Sequence, residues 1–286
     1  MLIFHDPRSL EYSHPGHVER PQRVAASVTL LKAAHPTWQW RLPELAANDS
    51  LARAHTQEHL RHVATASREF DADCPAYENI YEYAARASGA AIGVAHAALR
   101  GDAAFSLMRP PGHHATRDRA MGFCYLNHIA VAALNALASG AERVAIWDFD
   151  AHHGNGTEAI LAHNERVTFA SIHQSPLYPG TGLRSFANIH NFPVPPLVPR
   201  TRHMQVIRRA LDELVAARPS LLLVSAGFDA YAGDPITQLS LEAEDFAQCG
   251  AWLRESGLPA GAILEGGYSD DLPELIDAFL TGWSDE

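Results

Sequence analysis

Cysteine is scarce in this 286-residue chain: Cys74, Cys124 and Cys249 are the three present. An odd number without CxxC spacing argues against a disulfide framework and against a cysteine-built zinc site, and points to a reduced cytoplasmic setting. No run of about 18 apolar residues occurs, so no membrane-spanning helix is expected. The opening residues, MLIFHDP, lack a basic stretch followed by a long apolar one, so no secretory leader is expected either. Clusters of Lys and Arg are missing as well: 22 basic residues face 33 acidic ones, for a net charge of −11. That balance disfavours binding to a nucleic-acid backbone by counterion release and would draw in cationic groups instead. No Ser/Gly-rich linker, charge block or repeat divides the sequence, so residues 1–286 are read as one domain.

The chain is 47% hydrophobic and 19% charged, the balance of a globular protein with a large core. Short apolar runs at 104–108, 143–147, 167–171, 221–225 and 260–264 read as buried strands. Between them, 76–99, 126–138, 201–217 and 241–255 are rich in Ala, Leu and Glu and read as helices. The alternation implies an α/β fold with helices on both faces of a parallel sheet. Pro193, Pro195, Pro196 and Pro199 are expected in a rigid surface loop.

Open parallel sheets bind ligands beyond the carboxyl ends of their strands, and here those ends carry unusual polar strings. Asp150 and His152 follow the run 143–147 two residues apart, so in extended backbone both side chains point the same way. Asp229 follows the run 221–225 in the same manner. Two carboxylates and an imidazole, with room left for water, are the donor set of a catalytic rather than a closed structural zinc site. The adjacent pair His113-His114 stands after another strand and a Pro-Pro-Gly turn, where imidazoles can exchange protons near neutral pH. Tyr268 follows two glycines after the last strand, in position for a phenol to reach the metal.

The strings RPPGHHA (109–115), MGFCYLNHIAVAA (121–133), WDFDAHHGNGTE (147–158), SAGFDAYAGDP (225–235) and LEGGYS (264–269) closely resemble the histone deacetylase branch of the arginase/deacetylase superfamily. HPGHVERPQR (14–23) and DADCPAYENIYEYAA (71–85) extend the likeness over nearly the whole chain. The resemblance implies a single-domain, three-layer fold around a mainly parallel eight-stranded sheet, and a metal-dependent amidohydrolase acting on acylated lysine or a related acylated amine. It makes Asp150, His152 and Asp229 the zinc ligands, although donor type alone does not choose between Zn²⁺ and Fe²⁺. It also implies a structural K⁺ held by the Asp148 and His152 carbonyls, the Asp150 carboxylate, Ser171 and the Ile172 carbonyl. His114 becomes the proton shuttle and His113 the charge stabiliser, with Asp148 behind His113 and Asn155 behind His114. An amide in place of a carboxylate at Asn155, the class II form, is expected to leave His114 less basic. Tyr268 would donate to the developing oxyanion.

Further residues follow from the same likeness. Phe123 and Tyr178 match the aromatic walls of a narrow substrate tunnel, the Gly122 carbonyl would meet the substrate amide, and Asp73 would hold the substrate backbone at the rim. Ile236 stands at the tunnel mouth, where polyamine-specific relatives place a Glu. An arginase-like two-metal site would need an acidic residue two beyond His152, but Gly154 stands there. A catalytically silent acyl-lysine reader would not need His113, His114 and Tyr268 together. Acyl length and oligomeric state stay open.

Overall fold

The computed structural model describes residues 1–284. Among them, eight strands form one sheet in the order β2-β1-β3-β8-β7-β4-β5-β6. The strands are β1 (Leu2–Phe4), β2 (Gln39–Arg41), β3 (Ala104–Ser106), β4 (Val144–Asp148), β5 (Val167–Gln174), β6 (Ile189–Val194), β7 (Leu221–Ala226) and β8 (Ala260–Leu264). Every pairing is parallel, which goes further than the mainly parallel sheet expected. The helices are α1 (Pro21–Ala34), α2 (Asn48–Leu51), α3 (Gln57–Thr65), α4 (Ile80–Leu99), α5 (His128–Ala138), α6 (Asn155–Leu161), α7 (Arg200–Ala216), α8 (Ala243–Glu255) and α9 (Leu272–Trp283).

The central strands are apolar on both faces because both faces are covered. In β4, Val144 and Ile146 pack towards α4 and α5, while Ala145 and Trp147 pack towards α7, α8 and α9. β7 alternates in the same way, with Leu221 and Leu223 on one side and Leu222 and Val224 on the other. The result is three layers, helix on sheet on helix.

Local chemistry corrects three of the expected boundaries. The helix expected from residue 76 begins at Ile80, because Asn79 before it is left-handed (φ 61°) and breaks the helical run. The helix expected from residue 241 begins at Ala243: Glu242 is its N-cap and makes a reciprocal capping box with Asp245. The proline cluster is only partly a loop. Pro193 lies inside β6, paired with His173 of β5, and an edge strand tolerates a residue with no N–H to give because one side has no strand to bond.

The functional consequence of this topology is placement. β3, β8, β7, β4 and β5 are consecutive in the sheet, so the loops after them meet along one edge. The strings that carry the titratable residues are those loops.

Candidate active site

Asp150, His152 and Asp229 come together as a buried cluster whose potential ligand atoms all lie within 4.8 Å of one another. His152 Nδ1 is 2.7 Å from Asp229 Oδ2 and 3.3 Å from Asp150 Oδ1. Backbone amides orient the carboxylates: Gly266 donates to Asp150 Oδ2 at 2.7 Å, and Ala151 donates to Asp229 Oδ1 at 2.8 Å. A Cβ on Gly266 would strike both carboxylates, so only glycine lets that strand end approach so closely.

The electrostatics mark this as a place for a cation. Burial drives the Asp229 carboxyl upwards, and the neighbouring Asp150 adds to the shift. Burial works against a charged His152, yet Asp229 and Asp150 outweigh it and lift the imidazole to about 10. Two carboxylates converging in a dry interior take up a proton when nothing else neutralises them, and a divalent ion would take that proton's place. The donor set therefore fits a metal ion of zinc type.

Beside this cluster lie the two adjacent histidines. His113 Nδ1 is 3.1 Å from Asp148 Oδ2, and His114 Nδ1 is 2.7 Å from Asn155 Oδ1. Burial disfavours charge on His113, but Asp150 and Asp148 raise it well above an ordinary histidine. His114 moves the other way, well below the usual value. Burial is the largest cause, followed by the positive neighbours His113 and His152; the Asn155 bond acts slightly in the opposite sense. The low basicity expected from the amide partner thus arises mainly from surroundings that the motif does not reveal.

Above the cluster is a cavity of about 210 Å³ lined by Asp73, His114, Gly122, Phe123, His152, Leu177, Tyr178, Ile236 and Tyr268. Every residue named for the tunnel from the sequence lies on this wall. Gly122 has φ 57°, and a Cβ there would come 2.6 Å from the His114 ring and 2.9 Å from Tyr178. The Tyr178 ring stands edge-on to His114 at 5.2 Å, and Phe123 stands edge-on to Tyr268 at 5.6 Å. Asp73 borders the opening, and its carbonyl accepts from His17 Nε2 at 3.4 Å. The residues named for K⁺ are also adjacent: Asp148 pairs with Ser171 across β4 and β5, and Ser171 and Ile172 are fully buried. A wider groove of about 740 Å³ between α7 and α8 contains no histidine and lies outside these strand-end loops.

Several residues of the site's frame were not singled out from the sequence. Arg109, fully buried, grips Glu19 through Nε and Nη2 at 2.5 and 2.8 Å. Glu19 in turn accepts from Arg23 at 3.2 Å. Arg23 donates to the carbonyls of Gly267 and Glu265 at 2.6 and 2.7 Å and lies 4.6 Å over the Tyr268 ring. Asp234 fixes the other side of that turn by accepting from the Tyr268 amide at 2.8 Å. The spacing of Glu19 and Arg23, four apart at a helix start, was the available signal. Their partners are more than 200 residues away in part, and spacing says nothing about those.

Comparison with known proteins agrees with this geometry. The family model described as "Histone deacetylase domain" matches residues 17–282. A "Probable deacetylase" of Methanothermobacter thermautotrophicus is 33% identical, over 100% of this chain and 91% of its own length. The "Histone deacetylase-like amidohydrolase" of Pseudomonas aeruginosa is 36% identical, over 89% of this chain and 73% of its own. Among solved structures, the acetylpolyamine aminohydrolase of Burkholderia pseudomallei superposes with a TM-score of 0.92 at 28% identity, covering 100% of this chain and 99% of that one. With fold, strand-end loops and family model in agreement, the chain belongs to the histone deacetylase domain family of amide hydrolases.

Proposed function

We propose that the protein is a zinc-dependent amidohydrolase that removes acetyl or other acyl groups from lysine side chains or closely related acylated amines. The observation that carries this reading is the convergence of Asp150, His152 and Asp229 beneath a cavity that His114 and Tyr268 also line. A divalent ion held by those three residues would polarise the amide carbonyl and make water nucleophilic at neutral pH. His114, kept neutral by burial and the neighbouring His113, is suited to accept the proton of the attacking water and return it to the leaving amine. His113, kept charged beside Asp148 and Asp150, offsets the negative charge that develops. Burial also holds the Tyr268 phenol well above its ordinary value, so it stays a donor throughout. A structural K⁺ held by Asp148, His152, Asp150, Ser171 and Ile172 would neutralise the carboxylates from below.

A second reading has support of its own, since the acetylpolyamine aminohydrolase superposes along the whole chain. The tunnel mouth discriminates between the two. Ile236 lines the cavity and carries no charge to meet a distal ammonium. An apolar lip suits a peptide flank or a longer acyl chain, so acyl-lysine substrates are expected to be preferred. The net charge of −11 attracts polycations at long range, but such steering is screened beyond about 8 Å at physiological salt, and the local contact should win. The check is kcat/KM on an acetyl-lysine peptide against N-acetylputrescine and N-acetylspermidine. A tenfold advantage for a polyamine, about 1.4 kcal/mol, would refute the lip argument and leave the polyamine reading standing.

A reduced, cytoplasmic setting completes the reading. All three cysteines are buried and free, and among the described residues no helix is long and apolar enough to cross a membrane.

A further inference from the structure

We propose that Glu265 is a positioning residue that aims the His113-His114 pair at the substrate. This rests on the reading of His114 as the proton-handling group.

Glu265 is fully buried directly after β8, the strand between β3 and β7. Its main chain is pinned, since its N–H donates to Ala226 at 3.0 Å and its carbonyl accepts from Arg23 at 2.7 Å. The side chain reaches both neighbouring strand ends. Oε2 accepts from the amides of Gly112 and His113 at 2.6 and 3.1 Å, and Oε1 accepts from the Ser225 hydroxyl at 3.3 Å. The loop after β3 has no strand beside it to take those two amides, so the carboxylate supplies the acceptor that regular pairing would have given.

From the other side, the His113 carbonyl accepts from the amides of Gly156 and Thr157 at the start of α6, where Asn155 also holds the His114 ring. The histidine loop is therefore held between Glu265 and α6. Loosening either hold lets the His114 imidazole swing away from the cavity and the His113 imidazole away from Asp148 and Asp150. Burial pushes the Glu265 carboxyl up to about 7, against the downward pull of His113 and the two amides. The role thus depends on acceptor geometry more than on a full negative charge.

Three variants separate the possibilities. In Glu265→Gln the amide oxygen can accept from both backbone amides while its NH₂ faces Ser225 Oγ, so kcat should stay within about threefold of wild type. Glu265→Asp is shorter by one methylene and cannot reach both strand ends; its kcat should fall about tenfold, with KM and bound metal unchanged. Glu265→Met offers no acceptor and should lose about a hundredfold in kcat, the scale of a misplacement of about 1 Å. Should the Met variant fail to fold, the Asp and Gln pair still decides. A wild-type kcat in Glu265→Asp overturns the proposal, as does a parallel loss of metal, KM and thermal stability, which would mark the residue as a general support of the fold. An active His114→Ala enzyme would instead overturn the reading of the site on which the inference rests.

Discussion

Replacing Asp229 by alanine should leave a folded chain that neither retains a divalent metal nor hydrolyses an acyl-lysine substrate above background. Asp229 is fully buried, and its two oxygens have separate tasks. Oδ1 accepts from the Ala151 amide at 2.8 Å, whereas Oδ2 faces His152 at 2.7 Å in the candidate metal cluster. Removing the carboxylate leaves two donors where a catalytic zinc site needs three protein ligands. It also strands the Ala151 N–H, which costs about 1–3 kcal/mol, so a loss of activity could be mistaken for a loss of fold. Asp229→Asn resolves that ambiguity, because its amide oxygen can still accept from Ala151 while the charge that binds the ion is gone. Both variants should be inactive and metal-depleted, with the asparagine form melting closer to wild type. Metal analysis by mass spectrometry, a thermal melt and a turnover assay on the same preparation provide the check. Stoichiometric metal and wild-type turnover in either variant would remove Asp229 from the ligand set, and two transition-metal ions per wild-type chain would replace the one-metal site with an arginase-like one.

What the sequence disclosed and what it hid follow a physical division. The central strands were legible because they are buried on both faces, which leaves a plain apolar run such as VAIW in β4 or LLLV in β7. The margins of the sheet were not. β1 and β2 are three residues long, and β2 reads Gln-Trp-Arg with two of its three residues exposed. β6 carries Asn191 and Pro193, a composition that an edge tolerates and that resembles a loop. In the same way, Asp150 and His152 declared themselves as a pair because their spacing along one strand end is a local fact. Glu265 sits in LEGGYS beside the more conspicuous Tyr268, and its carboxylate meets amides about 150 positions away. The low basicity of His114 has the same origin: its causes are burial and, beside the adjacent His113, the His152 imidazole, which folding brings to 5.9 Å from its ring.

Tyr268→Phe is expected to lower kcat by about 10²–10³ while leaving KM, bound metal and the melting temperature close to wild type. The ring is held independently of its hydroxyl, edge-on to Phe123 at 5.6 Å and beneath the Arg23 guanidinium at 4.6 Å. The backbone is fixed by Asp234 at the Tyr268 amide and by Arg23 at the Gly267 carbonyl. Phenylalanine keeps all of these contacts, so the substitution deletes one donor and little else. Within the described residues the hydroxyl has no hydrogen-bond partner, although the residue is only 7% exposed and lines the cavity. A phenol donor that lines the cavity without a bond to another side chain or to the backbone is free to bond the acyl oxygen when negative charge appears there. An interaction of that kind is stronger in the transition state than with bound substrate, which is why kcat should carry the loss and KM should not. Steady-state kinetics on an acetyl-lysine peptide, with metal content measured in parallel, tests the assignment. An unchanged kcat would leave Tyr268 as a wall of the tunnel only, and a wild-type chain that binds the peptide without any turnover would favour a silent acyl-lysine reader over an enzyme.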